Sequence, residues 1–169
     1  EPGPLSLAVA LSNGTQGGRD NNTSKQVSSV VTWWRSPFVL GASLAYNDPP
    51  GGDRLVYGPF ASASFGPLTW IGEVDWIAET VAGVDNDQFV AFTSVDLWLR
   101  QAINLRAAFD YYDPFDDVEE DERSRVSLGI EAFLTPFLTG SVVYHLRDSV
   151  PQDPSGNADR FGLSLHAHF

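Results

Sequence analysis

The stretch INLRAAFDYYD, residues 103–113, decides the fold. Its alternate residues divide into an apolar set, Ile103, Leu105, Ala107, Phe109 and Tyr111, and a more polar set, Asn104, Arg106, Ala108, Asp110 and Tyr112. A period of two is typical of a β-strand, because successive side chains of a strand point to opposite faces. The stretch therefore predicts a strand with one apolar face.

The same period recurs along the whole chain. It is clearest in residues 68–78, 126–134, 138–147 and 160–169, and weaker in residues 4–12, 26–35, 38–47, 55–65 and 88–99. In residues 26–35 the apolar set is either Val27, Val31 and Trp33 or Val30 and Trp34, and the sequence leaves both choices open. The pattern predicts an all-β chain of about ten strands, with residues 1–169 as a single domain.

The predicted connections alternate in length. Short turns fall at residues 36–37, 65–67, 100–102 and 135–136, and long polar loops at residues 13–25, 48–54, 79–87, 113–124 and 148–159. Bacterial outer-membrane barrels have short periplasmic turns and longer extracellular loops. The chain is therefore predicted to form an antiparallel transmembrane up-and-down β-barrel in the bacterial cell outer membrane.

Aromatic residues cluster at both ends of the predicted apolar face. Near the long loops they are Tyr46, Tyr57, Trp76, Phe89, Tyr111, Tyr144 and Phe161, and near the short turns Phe38, Phe65, Trp70 and Phe169. Aromatic rings favour the two interfaces of a membrane. These residues are predicted to form two girdles in contact with outer-membrane lipid and lipopolysaccharide.

The other face of the predicted strands carries many charged or titratable side chains. They are Glu73, Asp75, Asp96, Arg106, Asp110, Glu131, His145, Arg147 and Arg160. A secreted β-sandwich or lipocalin-like barrel alternates in the same way, but so many charges are too costly for its dry core. We expect them to form a charge network inside a wet lumen.

Composition excludes several function classes. The chain has no cysteine, which rules out disulfides, cysteine-ligated zinc and covalently attached haem. Its net charge is −12, from 10 Lys and Arg against 22 Asp and Glu. Because nucleic-acid binding requires the opposite balance of charge, no nucleic-acid partner is expected.

Five segments resemble a known family. The terminal RFGLSLHAHF (160–169) resembles the C-terminal strand of outer-membrane barrels that the barrel-insertion machinery reads, which implies a role for Phe169. The segments GPLSLAVALSNG (3–14), GPFASASFGPLTWIGEVDWI (58–77), NLRAAFDYYDP (104–114) and FLTPFLTGSVVYHLRD (133–148) resemble the C-terminal half of porins, including the phosphate-selective type.

Porins of that type have about 16 or more strands, so the resemblance implies that the chain is the C-terminal part of a larger barrel, incomplete at its N-terminus. The alternative is that ten strands close alone around a narrow lumen. The phosphate-selective type depends on a basic lumen. Since the chain has 10 basic residues against 22 acidic ones, phosphate selectivity is not expected here.

Two places suggest metal ions. The acidic run 113–122 contains Asp116, Asp117, Glu119 and Glu120, whose hard oxygen ligands suit Ca²⁺ or Mg²⁺. His166 and His168 point the same way on one strand, as in a transition-metal site, but no third ligand is identifiable. We expect a solvated acidic loop and two polar lumen residues rather than metal centres, and no cofactor.

The sequence therefore predicts a porin-like channel for passive, charge-tuned diffusion of small hydrophilic solutes or ions, and not an enzyme. One alternative is a structural sleeve that houses or docks a partner such as a multihaem cytochrome. A second is an outer-membrane hydrolase at the loop-side rim around His145, which is expected at about the height of Asp110 and Tyr112; the sequence does not show whether a carboxylate lies within hydrogen-bond reach of it. A homo-oligomer and a periplasmic or cytochrome partner are further expectations.

Overall fold

The computed structural model describes residues 4–12, 25–48, 51–100, 102–150 and 156–167. These residues contain no helix that is long and apolar enough to cross a membrane. They form ten strands: β1 Leu5–Ser12, β2 Gln26–Arg35, β3 Phe38–Asn47, β4 Gly52–Phe65, β5 Leu68–Val81, β6 Val84–Arg100, β7 Ile103–Asp113, β8 Arg123–Thr135, β9 Leu138–Asp148 and β10 Arg160–Ala167.

The strands form one antiparallel sheet in chain order, from β1 to β10. The predicted all-β, up-and-down architecture is confirmed. Within the described residues β1 pairs only with β2 and β10 only with β9, so the sheet is not closed. The two edges of the sheet therefore each present an unpaired side.

The predicted loop at residues 79–87 is wrong. β5 runs to Val81 and β6 begins at Val84, so a two-residue turn of Ala82 and Gly83 joins them. Both turn residues have positive φ, 54° and 81°, as two-residue hairpin turns require. The neighbouring polar residues belong to the strands, and Thr80 donates a hydrogen bond to Asp85 across the hairpin at 2.8 Å.

The predicted loop at residues 48–54 is shorter than expected because β4 already begins at Gly52. Polar residues are common where a strand continues beyond the membrane, so composition alone does not separate such an extension from a loop. The predicted loops at 113–124 and 148–159 do lie between strands, whereas most of 13–25 lies outside the described residues.

The register fixes which residues share a face. Val27, Val31 and Trp33 lie opposite Leu11, Leu7 and Leu5, which resolves the ambiguity in β2. Side chains on this apolar face are widely exposed, and Leu163 reaches 76%. We call it the outer face and the polar one the inner face.

The inner face is the more enclosed side of the sheet. Almost all of the described side chains that are less than a tenth exposed lie on it, namely Ile77, Ser94, Asp96, Asn104, Ser127 and Thr139. Among the described residues no large side chain is fully buried. The described strands thus form no dry apolar core, which agrees with an outer face turned toward lipid.

All described residues of the two predicted aromatic girdles lie on the outer face. Near the loops, Tyr57, Trp76, Phe89 and Tyr111 form a continuous row with ring centroids 5.8, 5.8 and 5.9 Å apart. At the short turns the rings of Phe38 and Phe65 meet edge to face at 5.7 Å. Phe169 lies outside the described residues. The location of these rows at the membrane interfaces stays a prediction.

Candidate functional site

The inner face is the candidate site, because the sheet brings the charged side chains together there. The register places all nine predicted residues on this face, Glu73, Asp75, Asp96, Arg106, Asp110, Glu131, His145, Arg147 and Arg160. They come from β5 to β10. The inner faces of β1 and β3 carry small neutral residues instead, Ser6, Ala8, Ala10, Gly41, Ser43 and Ala45.

One buried carboxylate lies toward the short-turn end of the wall. The Oδ1 atom of Asp96 accepts a hydrogen bond from Nε of Arg106 at 2.8 Å and another from Nδ2 of Asn104 at 3.0 Å. The Asp96 side chain is 12% exposed, whereas that of Arg106 is 62% exposed. Asp96 is therefore neutralised within the wall, while most of the Arg106 side chain is exposed on the inner face.

A second ion pair joins β7 and β8 nearer the loops. Nε of Arg125 donates to Oδ2 of Asp110 at 2.9 Å. Arg125 also lies directly opposite Arg147 of β9, and like charges in such positions repel. Nη1 of Arg147 is buried without a hydrogen-bond partner among the described residues. Arg125 is absent from the predicted set, and its role follows only from the register.

His145 does not lie within reach of Asp110, the carboxylate that the sequence places at a similar height. His145 lies opposite Ser127, two residues away from the row that contains Asp110, and Asp110 is engaged by Arg125. Nδ1 of His145 is instead 2.8 Å from the hydroxyl oxygen of Ser127, which is 9% exposed. The site thus contains a serine–histidine contact whose serine is not among the predicted residues.

Glu73 and Asp75 differ from the other carboxylates of the wall. They lie two residues apart on β5 and point to the same face. Among the described residues neither takes part in a hydrogen bond or an ion pair. The charges of Glu73 and Asp75 are therefore uncompensated. Arg54 of β4 lies opposite Glu79 at the loop-side end, and the arginines of the inner-face network lie on β7 to β10.

The acidic segment between β7 and β8 folds back on the neighbouring hairpin. The backbone N–H of Asp116 donates to the carbonyl of Asp87 at 3.0 Å, and that of Val118 donates to the carbonyl of Phe115 at 2.9 Å. Burial, followed by the like charges of Asp113 and Glu122, raises the pKa of Asp121. Repulsion between carboxylates is thus built into this segment.

The described residues contain no group of three or more metal-ligating side chains arranged to hold an ion. That part of the chain includes Asp116, Asp117, Glu119, Glu120 and His166, and His168 lies outside it. The expectation of a solvated acidic loop stays a prediction, with binding of Ca²⁺ or Mg²⁺ as its alternative.

Comparison with known proteins identifies the fold. No family model and no curated protein matches the sequence. A solved structure that matches is OmpTdeltaL8, the loop L8 deletion mutant of OmpT, an outer membrane protein of Vibrio cholerae. The TM-score is 0.80 at 11% sequence identity, over 99% of this chain and 60% of that chain. The chain thus spans 60% of the length of the protein it matches.

The match corrects the prediction that this chain is not an enzyme. That exclusion rested on reading the barrel as a porin, whereas the similarity to OmpT shows an outer-membrane barrel fold and no porin specifically. A fold does not by itself decide between transport and catalysis, and the contact between Ser127 and His145 is of a type that catalysis uses. The prediction that the chain is not an enzyme is therefore wrong, because the fold on which it was based does not exclude catalysis.

The fold, the apolar outer face and the similarity to an outer membrane protein agree with one another. Together they show that the chain has the up-and-down antiparallel fold of an outer-membrane β-barrel, which is consistent with a location in the bacterial outer membrane.

Proposed function

We propose that the ten strands form part of the wall of a porin-like channel for small hydrophilic solutes. Open strand edges cannot face hydrocarbon, because their backbone groups would lack hydrogen-bond partners. The unpaired sides of β1 and β10 therefore pair with further strands in the membrane. The inner face then encloses a water-filled path.

The observation that supports a channel best is the separation of charge along one row of the inner face. Glu73, Phe92, Asp110, Arg125 and Arg147 lie opposite one another on β5 to β9. Asp110 and Arg125 neutralise each other at 2.9 Å. Glu73 is thus an unpaired carboxylate on β5. Arg147, which lies opposite Arg125, is four strands away on β9.

Opposite charges on different sides of a pore create a transverse field that selects solutes by charge. The four inter-strand steps from β5 to β9 span about 19 Å along the wall. If the inner-face charges only formed ion pairs, Glu73 and an arginine would be expected on neighbouring strands.

The test is a conductance measurement on the closed barrel. The protein is purified from outer membranes so that the strands that pair with β1 and β10 are present. In planar bilayers we expect a steady current at low voltage. Glu73→Gln should lower the cation preference, and Arg147→Gln should raise it. A protein that inserts but passes no current contradicts the channel and favours the sleeve that docks a partner, which co-purification of a haem protein would identify.

A second candidate function is hydrolysis at the loop-side rim. It is supported by the 2.8 Å contact between the Ser127 hydroxyl and Nδ1 of His145, because an activated serine needs a base within hydrogen-bond reach. A fluorophosphonate probe should then label the protein, and Ser127→Ala and His145→Ala should each abolish labelling. Labelling that survives either change, or that never occurs, removes this candidate.

A further inference from the structure

Two phenylalanines flank Glu73 on the inner face. The register of β4, β5 and β6 sets Phe60, Glu73 and Phe92 side by side in one row. Neighbouring strands are about 4.8 Å apart, so the backbones of both phenylalanines lie about one strand spacing from that of Glu73. Phenylalanine is unexpected on a face that otherwise carries polar and charged residues at this level.

The ring of Phe60 rests on the backbone of β3. It lies over Gly41, where an added Cβ would come within 2.2 Å of the ring atom Cζ. Only glycine leaves room for this arrangement. The ring is therefore held against the wall on the β3 side of β4, whereas Glu73 lies on the β5 side.

The local charge is entirely negative. Asp75 lies two residues from Glu73 on the same face, and no lysine or arginine occurs on β5 or in the segment 84–98 of β6. Within the described residues Arg54 is the basic residue of β4, and it lies opposite Glu79 at the loop-side end. Glu73 therefore has no counter-ion from the neighbouring strands.

The rings decide which kind of cation this charge fits. Mg²⁺ and Ca²⁺ are bound by several oxygen atoms, which come from water or from the protein. Phenyl rings supply no such ligand. An alkylammonium or guanidinium ion pairs with a carboxylate and is also attracted to aromatic faces. Its carbon atoms gain contact with the same rings.

We propose that Glu73 and Phe92 form a binding site for organic cations, namely solutes with an ammonium or guanidinium group on an apolar body, and that the Phe60 ring offers further apolar surface to a larger body. The inference rests on the proposed channel, in which this site lies on the path of the solute. Glu73 attracts the charge, and the Phe92 ring favours organic cations over K⁺ of the same charge.

The inner face provides a matched control. Trp98 and Phe133 also stack there, with centroids 5.8 Å apart and ring planes 13° apart. Asn104, which is neutral and 5% exposed, lies opposite Trp98 in the register. Phe133→Leu therefore removes an inner-face ring without touching the proposed site.

The test uses tetramethylammonium and K⁺ as chlorides with the protein in its closed assembly. Reversal potentials give the permeability ratio of the two cations. Phe92→Leu should lower the ratio of tetramethylammonium to K⁺ about threefold to tenfold, whereas Phe133→Leu should leave it unchanged. Equal ratios in both variants overturn the site.

Equilibrium dialysis of labelled tetramethylammonium separates the site from the channel. Binding that is lost in Glu73→Gln but retained in Phe133→Leu supports the site, even if the protein passes no current. If the protein passes current but its binding of tetramethylammonium does not depend on Glu73, the proposed site is overturned. The proposed channel is not affected by that result.

Discussion

Oδ1 of Asp96 lies 2.8 Å from Nε of Arg106 on the neighbouring strand. The aspartate is enclosed in the wall and the arginine is largely exposed, so the pair is asymmetric. An enclosed carboxylate depends on its donors, because it has no water to replace them.

The first prediction concerns this carboxylate. Asn104→Ala removes a hydrogen bond to a charged group and should lower the free energy of unfolding by about 1–3 kcal/mol. The measurement is urea unfolding of the protein in lipid vesicles. Ser141→Ala, which changes a hydroxyl on the same face that bonds to Ser164, is the control and should cost about 1 kcal/mol or less. Equal costs would mean that Asp96 needs no second donor.

The second prediction concerns the two faces at the middle of β9. Val142 lies opposite Ile130 and Leu163 on the outer face, and Val143 lies opposite Gly129 and Gly162 on the inner face. Val142→Arg should destabilise the protein folded in lipid by about 2–4 kcal/mol.

Val143→Arg is the matched control, because it adds the same side chain one residue away. Val143→Arg should destabilise the folded protein by about 1 kcal/mol or less, because the added charge is exposed to water. Folding titrations into vesicles measure both variants. A larger cost for Val143→Arg would show that the faces are assigned the wrong way round.

The third prediction concerns the hairpin turn between β5 and β6. Ala82 has a φ of 54°, a conformation that is strained for residues other than glycine. Ala82→Gly should therefore stabilise the protein by about 1 kcal/mol, as measured by urea unfolding. Gly83→Ala, at a φ of 81°, should destabilise it. A loss of stability in Ala82→Gly would show that the turn has another conformation.

The fourth prediction concerns pH. The pKa of Asp121 is raised above its ordinary value of 3.8 by burial and by Asp113 and Glu122. The folded segment therefore holds this proton more tightly than the unfolded one, and its stability falls as pH rises from about 3.8 through the raised pKa.

Hydrogen exchange measures this effect as the protection of the Val118 N–H, which donates to Phe115. Protection should be higher at pH 4 than at pH 7, after correction for intrinsic exchange. Asp121→Asn should reduce the difference between the two pH values. An unchanged difference in that variant would mean that other carboxylates control the segment.

The strands could be predicted because alternation is a local property of the sequence. β2, β3 and β7 begin and end at the predicted residues. The hairpin at Ala82 and Gly83 could not be predicted from composition, since strand residues beyond the membrane are as polar as a loop. Gly83 between Val81 and Val84 is the local signal that favours a two-residue turn there.

The face of each charged residue could also be predicted, but its partner could not. Pairing depends on the register between strands, and a shift of two residues keeps every side chain on its face while it changes every neighbour. That is why Asp110 meets Arg125 and not His145, and why the contact of Ser127 with His145 was missed.

The most direct test of the account is the reactivity of single cysteines along β9. The chain has no cysteine of its own, so each label reports one position. Ser141→Cys, Val143→Cys and His145→Cys on the inner face should react with a water-soluble thiol reagent in intact outer membranes. Val142→Cys, Tyr144→Cys and Leu146→Cys on the outer face should be protected by lipid. Reaction of the outer set with protection of the inner set, or equal reaction of both, would contradict a water-filled path lined by the charged face.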